Sequence, residues 1–179
     1  MMVDDLHGAP ITVRRSALDP RRGVLRLGPL AIPCALGRSG TTARKREGDG
    51  ATPIGSYPIL HARVNRSRWG MPPLAALPLR GVRASDGWCD AVGDANYNRP
   101  VPLPYPRSAE TMLRADRLYD AVIVLDHNVT HRAQGRGSAI FLHVAKENYP
   151  PTEGCIAVSP RDMRVVLPYL RRGRIVRVA

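Results

Sequence analysis

The chain has 179 residues, with 27 Lys and Arg against 15 Asp and Glu, for a formal charge of +12. That length suits a single domain spanning 1–179 with a real core, and 44% hydrophobic with 23% charged residues excludes a mostly disordered chain. Lys45 and Lys146 are its only lysines; the other basic residues are arginines. Arginine stays charged and grips carboxylates and phosphates with a planar fork, which points to an anionic partner; GC-rich coding is the competing explanation. No apolar run approaches the roughly 20 residues of a membrane span. The stretch Met1 to Gly8 carries acids where a signal peptide has bases, so the expectation is a cytosolic protein or a trimmed or differently exported form. Three cysteines are too few for a disulfide scaffold.

In chain order, Ile11 to Arg15 and Val24 to Leu27 read as strands joined by a hairpin at Asp19 to Gly23. Pro29 to Leu36 is a third apolar segment. Gly37 to Gly50 is polar and lacks periodicity, an expected exposed loop. Ala51 to Leu60 returns to strand character. Residues 68–106 are rich in proline, which predicts sparse regular structure and a long lid or cleft loop. Ser108 to Arg117 carries helix-start signals, with Ser108 as N-cap and Glu110 in the first turn. Ala121 to Leu125 and Ala139 to Val144 are β-branched apolar runs that predict central strands buried on both faces. Asp126 to Gly137 connects them. Ser159-Pro160-Arg161-Asp162 opens a helix whose Val165, Val166 and Leu170 are expected inward and which Pro168 must kink or end. Ile175 to Val178 can close the sheet. The fold class expected is mainly β with short helices.

The chemistry concentrates near the C-terminal third. Cys155 follows Gly154 in Thr152-Glu153-Gly154-Cys155-Ile156-Ala157, and His143 ends an apolar strand earlier in the chain. A strand-end imidazole that meets a cysteine takes its proton and makes a thiolate nucleophile, and amides beside a glycine form an oxyanion hole. The plainer alternatives are a buried structural thiol and a hydrogen-bonded structural histidine. A zinc site of His127, His131, His143 and Cys155 is a weaker option, since no ligand pair has characteristic spacing.

At these residues the chain resembles the L,D-transpeptidase catalytic domains of the YkuD-like family. Phe141-Leu142-His143 and Thr152 to Ala157 resemble the strand histidine and the Ser/Thr-x-Gly-Cys element, and Thr52-Pro53-Ile54-Gly55 resembles the family's Thr-Pro-x-Gly segment. Gly135 to Phe141 adds support. Gly87-Trp88-Cys89-Asp90 and Asn96-Tyr97-Asn98-Arg99 are similar to a compact proteobacterial branch. Two departures stand out: Glu153 occupies a position where many members have a second histidine, and the spacing from His143 to Cys155 is short.

The resemblance implies a β-sandwich-like catalytic domain acting in the periplasm on diaminopimelate-type peptidoglycan stem peptides. It implies Cys155 as nucleophile, His143 as base and the Gly154 and Cys155 backbone as oxyanion hole. The product is a 3-3 or 1-3 cross-link, with hydrolysis of stem peptides or simple wall binding as alternatives. It further implies no metal or cofactor and acylation by carbapenems. Scattered arginines and only nine aromatic residues argue against a nucleic-acid partner, and a monomer is expected. Thr152, Glu153, Trp88, Asn96, Tyr97, Asn98, Arg99, Asp126, His127 and Asn128 are expected around the substrate. In an oxidising compartment Cys34 and Cys89 could pair and leave Cys155 free.

Overall fold

The computed structural model describes residue 6, residues 8–70 and residues 77–179. Most of Met1 to Gly8 and part of the 68–106 segment therefore lie outside the described residues. The large sheet is built from β1 (Ile11–Arg15), β2 (Arg22–Leu27), β3 (Leu30–Ala35), β6 (Gly55–Val64), β7 (Leu79–Gly81), β11 (Ala121–Leu125), β12 (Phe141–Val144), β13 (Ile156–Val158) and β14 (Ile175–Val178). Its order is β11-β12-β13-β3-β2-β1-β14-β6-β7. The long β6 pairs with β14 through Gly55 to Pro58 and with β11 through Ile59 to Val64, so the sheet folds back and closes on itself. A small pair joins β4 (Thr41–Thr42) to β5 (Thr52–Pro53). Helix α1 (Arg66–Trp69) is a single turn, and α2 (Pro160–Val166) runs into a 3-10 turn at Leu167–Tyr169. The mainly β architecture is the one expected.

Alternation along the central strands creates two apolar faces. Ile123, Leu125, Leu142, Val144, Ile156 and Val158 face the main core, which α2 covers with Met163 and Val166. Val122, Val124, Phe141 and Cys155 face a second cluster with Trp88, Met112 and Tyr119. Hence β11 is buried at every position, as a continuous β-branched run requires. The Ser159 hydroxyl accepts from the Asp162 N–H, capping α2 with Pro160 in its first turn. Leu170 is buried, and Pro168 falls where α-helix gives way to the 3-10 turn.

Four expectations are corrected. Ser108 to Arg117 forms no helix: β10 (Ala109–Thr111) pairs antiparallel with β8 (Asp86–Cys89), so backbone pairing overrides the local cap signals. Residues 68–106 hold more regular structure than their prolines suggest, because β7, β8 and β9 (Arg99–Pro102) lie there, the last two in a three-stranded sheet with β10. The prolines of β9 fit because it is an edge strand of that sheet, paired on one side only. The Gly37 to Gly50 segment is not uniformly exposed, since Gly37, Gly40, Lys45 and Gly50 are buried. Val165 is 42% exposed rather than inward, since α2 turns its Met163 and Val166 stripe to the core. Cys34, Cys89 and Cys155 are all free thiols.

Candidate active site

Strand register brings the two candidate catalytic side chains together. Strands β12 and β13 run parallel with Leu142 opposite Ile156 and His143 opposite Ala157. Cys155, one residue before β13, therefore stands opposite Phe141, on the same face as His143 and one diagonal step away. Both line a cavity of about 510 Å³.

The thiol lies against backbone. Its Sγ–H donates to the Ala139 carbonyl at 3.0 Å, and the Phe141 N–H donates to Sγ at 3.4 Å. Burial pushes the thiol up to about 12; the Glu110 charge adds to this, while the Phe141 N–H and the Lys45 charge oppose it. Burial likewise holds the His143 ring down at about 4. The His143 Nδ1 lies 2.8 Å from the Val144 carbonyl. The Leu118 carbonyl also lies against the ring; a neutral ring that donates from Nδ1 leaves Nε2 as the unprotonated nitrogen. At neutral pH both groups are thus uncharged, and the thiol must lose its proton as it reacts.

The turn before Cys155 is tied by threonines. Thr152 Oγ1 donates to the Cys155 carbonyl at 2.7 Å and accepts the Gly154 N–H at 3.2 Å. Thr52, buried in β5, accepts the Gly37 N–H at 2.8 Å and donates to the same Cys155 carbonyl at 3.4 Å. Gly154 has φ +135°, and a Cβ there would lie 2.9 Å from the Ala51 carbonyl and 3.2 Å from Lys45 Nζ. Only glycine fits this turn.

The remaining candidate residues divide. Thr152 and Glu153 line the cavity with Cys155 and His143, and Glu153 pairs at its rim with Arg38 at 2.8 Å. Trp88, Tyr97 and Asn98 are buried beneath the site. Asn98 Oδ1 accepts from Trp88 Nε1 at 2.9 Å and from the Ala139 N–H at 3.0 Å. Its Nδ2 donates to the His127 and Asn128 carbonyls at 3.1 and 2.6 Å. Asn98 thereby fixes the residue whose carbonyl receives the thiol. Tyr97 donates its hydroxyl to Glu47. Asp126 accepts the Thr130 N–H, His127 Nε2 meets the Arg136 carbonyl, and the Asn128 amide donates to the Ala133 and Gly137 carbonyls. These contacts order the loop into β12 and do not reach the cavity. Asn96 and Arg99 are exposed away from it.

Among the cavity residues not expected from the sequence, Lys45, Lys146 and Tyr119 matter most. Lys45 is 7% exposed and ion-paired with Asp49, its ammonium beside Gly154. Lys146 also lines the cavity, so both lysines of an arginine-rich chain meet there; that scarcity was the available signal. Tyr119 packs its ring edge-on to His143 and donates its hydroxyl to Glu110. Among the described residues, no group of three or more His, Cys, Asp or Glu could hold a metal ion, and no helix is long and apolar enough to cross a membrane.

Among solved structures, the chain is similar to an L,D-transpeptidase from Mycobacterium smegmatis (14% identity, 96% of this chain and 59% of that one, TM-score 0.46). It is also similar to L,D-transpeptidase 3 from Mycobacterium tuberculosis in complex with a faropenem-derived adduct (16% identity, 96% and 60% coverage, TM-score 0.43). The chain spans about three-fifths of the length of those solved chains. Among curated proteins, nothing matches. The family model of the YkuD L,D-transpeptidase catalytic domain matches residues 19–178, nearly the whole chain. The chain belongs to the YkuD family of L,D-transpeptidase catalytic domains.

Proposed function

We propose that the protein is a peptidoglycan L,D-transpeptidase that joins stem peptides through a cysteine thioester. The observation that carries this reading is the register of β12 and β13, which sets Cys155 and His143 as diagonal neighbours on the wall of one cavity.

In this reading Cys155 Sγ attacks the carbonyl carbon after the L-centre of a diaminopimelate-type residue, while its proton passes to His143 Nε2. The carbonyl electrons move to oxygen. The Cys155 N–H and the Lys45 ammonium are the donors for that oxyanion, because the Gly154 N–H is already given to Thr152. Collapse breaks the C–N bond, and His143 returns the proton to the leaving D-residue's amine. The amine of a second stem peptide then attacks the thioester, gives its proton to His143 and regenerates the thiol. Water in its place gives a shortened monomer. Because the resting thiol and imidazole are both neutral, proton transfer accompanies attack instead of preceding it. The cavity's mixed lining, Glu47, Asp90 and Glu110 beside Lys45, Lys146 and Arg114, suits a stem peptide that carries both ammonium and carboxylate groups. In this reading the protein acts on the wall polymer from the periplasm.

Intact-mass analysis with a carbapenem tests the nucleophile. Wild type should gain one adduct, and Cys155→Ala none; an adduct on Cys155→Ala overturns the assignment. Incubation with purified muropeptides then separates transfer from hydrolysis: dimers support the proposal, and shortened monomers alone make the protein a carboxypeptidase of the same fold. Retention on sacculi with neither product leaves only a wall-binding module.

A further inference from the structure

A second cavity, of about 660 Å³, opens at the far edge of the large sheet, where β6, α1 and β7 meet the start of β8. Four arginines line it, Arg63, Arg66, Arg80 and Arg83, against one carboxylate, Asp86. Asp86 is already committed, to the Arg83 N–H at 2.9 Å and to an Arg63 guanidinium nitrogen at 3.4 Å. Register makes the crowding worse: Arg63 stands directly opposite Arg80 on parallel strands, and like charges so placed repel. Arg66 lies over the same strand, for a Cβ added at Gly81 would come within 3.1 Å of its Nε.

Arg63 is the informative member. It is 5% exposed, and its buried Nε has no hydrogen-bond partner among the described residues. A guanidinium donor withdrawn from water and left unmatched costs free energy that a bound acceptor would recover. The local positive field also reaches His61 on the same strand, which burial and then the Arg63, Arg80 and Arg172 charges hold down at about 4.

We propose that this cavity is an anion site that takes phosphoryl groups. Four guanidiniums against one carboxylate leave an excess of about three charges. A lone carboxylate has too few oxygens and too little charge for that set, whereas a phosphate or diphosphate offers several acceptors to several planar forks. The site is separate from the thiol cavity: Asp86 borders this one, and Asp90, four residues further on, borders the other. At strand rise these lie about 13 Å apart. The ligand's phosphoryl group belongs either to a soluble phosphate or to a lipid headgroup at a membrane surface, and the inference stands independently of the thiol chemistry.

The test uses the whole chain at fixed ionic strength. Inorganic pyrophosphate binding is measured by calorimetry, and co-sedimentation is measured with phosphatidylglycerol vesicles against phosphatidylcholine vesicles. Arg80→Ala with Arg83→Ala removes two exposed arginines from the cavity. Arg14→Ala with Arg15→Ala removes the same charge from β1 as control. Pyrophosphate or phosphatidylglycerol binding that falls at least tenfold in the first double variant and holds in the second supports the site. Pyrophosphate alone identifies a soluble ligand, and retention on phosphatidylglycerol identifies a headgroup. Equal weakening in both variants, or no binding in either arm, overturns the proposal. Carbapenem adduct formation should be the same in both double variants.

Discussion

Tyr119 sets its ring edge-on against the His143 imidazole, with centroids 5.3 Å apart and planes at 77°. Its hydroxyl reaches the other way, donating to Glu110, whose carboxyl burial pushes up and this hydrogen bond draws back down. The ring and the hydroxyl therefore do separable work. Tyr119→Phe keeps the edge contact and removes the hydrogen bond that lowers Glu110, so Glu110 rises further and its charge opposes the Cys155 thiolate less. The expected outcome is a pH profile for thiol alkylation displaced to lower pH, with a maximal carbapenem acylation rate within about threefold of wild type. Tyr119→Ala opens the wall behind His143, costing about 3–5 kcal/mol of stability and most of the acylation rate. An unmoved pH profile in Tyr119→Phe would detach Glu110 from the thiol.

Lys45 shares the cavity with the thiol. Its charge draws the Cys155 pKa down, so Lys45→Met should slow alkylation at pH 7 slightly, since this charge is the smallest of the influences on the thiol, and should slow acylation about tenfold or more through loss of an oxyanion donor. Lys45→Arg should fail to restore the rate. A Cβ at Gly137 would sit 2.8 Å from Lys45 Cγ, and Gly154 lies against the ammonium, so the slot has no room for a planar fork. This is a physical reason for a lysine at position 45 in a chain that uses arginine at all but one other basic position. Stopped-flow acylation of the three proteins, with thermal melts to confirm folding, decides the matter; equal rates in all three would remove Lys45 from the oxyanion site.

How much of this was legible in the sequence depended on length and burial. Ala121 to Leu125 announced a doubly buried strand because five β-branched or apolar residues in a row fit little else. Ser159-Pro160 announced α2 because capping is a local interaction. Glu110 was misread for the same locality: a serine two residues ahead of an acid signals a helix start, and only the pairing with Trp88 on β8 makes it a strand. Asn98 sat in a turn-like string, yet it is 0% exposed with four polar contacts beneath the cavity. Short strands such as β8 carry too few residues to show a period. Cys155 and His143 could be singled out by type, but their adjacency is a fact of register, which the intervening loop conceals.

Stability should fall on both sides of neutrality, for opposite reasons. His143 is held at about 4 against 6.5 in the unfolded chain. Between those values the unfolded state binds the extra proton, so stability is full above pH 6.5 and is lost as pH drops toward 4, by about 3 kcal/mol for this residue. His61 and His127, also held down chiefly by burial, act in the same direction. Glu110, pushed up by burial, works against them, so Glu110→Gln should steepen the acid limb. On the alkaline side Cys34 and Cys155, both raised to about 12 from 9.0, keep their protons while the unfolded thiols ionise, so stability drops as pH climbs past 9. Urea denaturation from pH 4 to 10 reads both limbs. A midpoint that stays level between pH 7 and 4.5 would contradict the burial assigned to His143.

Gly154 is the point where backbone and chemistry meet most tightly. Its φ of +135° is a conformation that L side chains rarely adopt, and a methyl there would press on the Ala51 carbonyl at 2.9 Å before touching the lysine. Gly154→Ala must therefore either shift the Thr152 to Cys155 turn or push Ala51 and the Lys45 ammonium away. Each route moves the Cys155 carbonyl off its two threonine hydroxyls. The expected cost is a few kcal/mol in urea denaturation, together with loss of carbapenem acylation even in the folded fraction. Adding Thr152→Ser should change little, because serine keeps the hydroxyl that closes the turn. A Gly154→Ala protein that melts and acylates like wild type would show that the turn has slack and that the Ala51 carbonyl and the Lys45 ammonium do not confine residue 154.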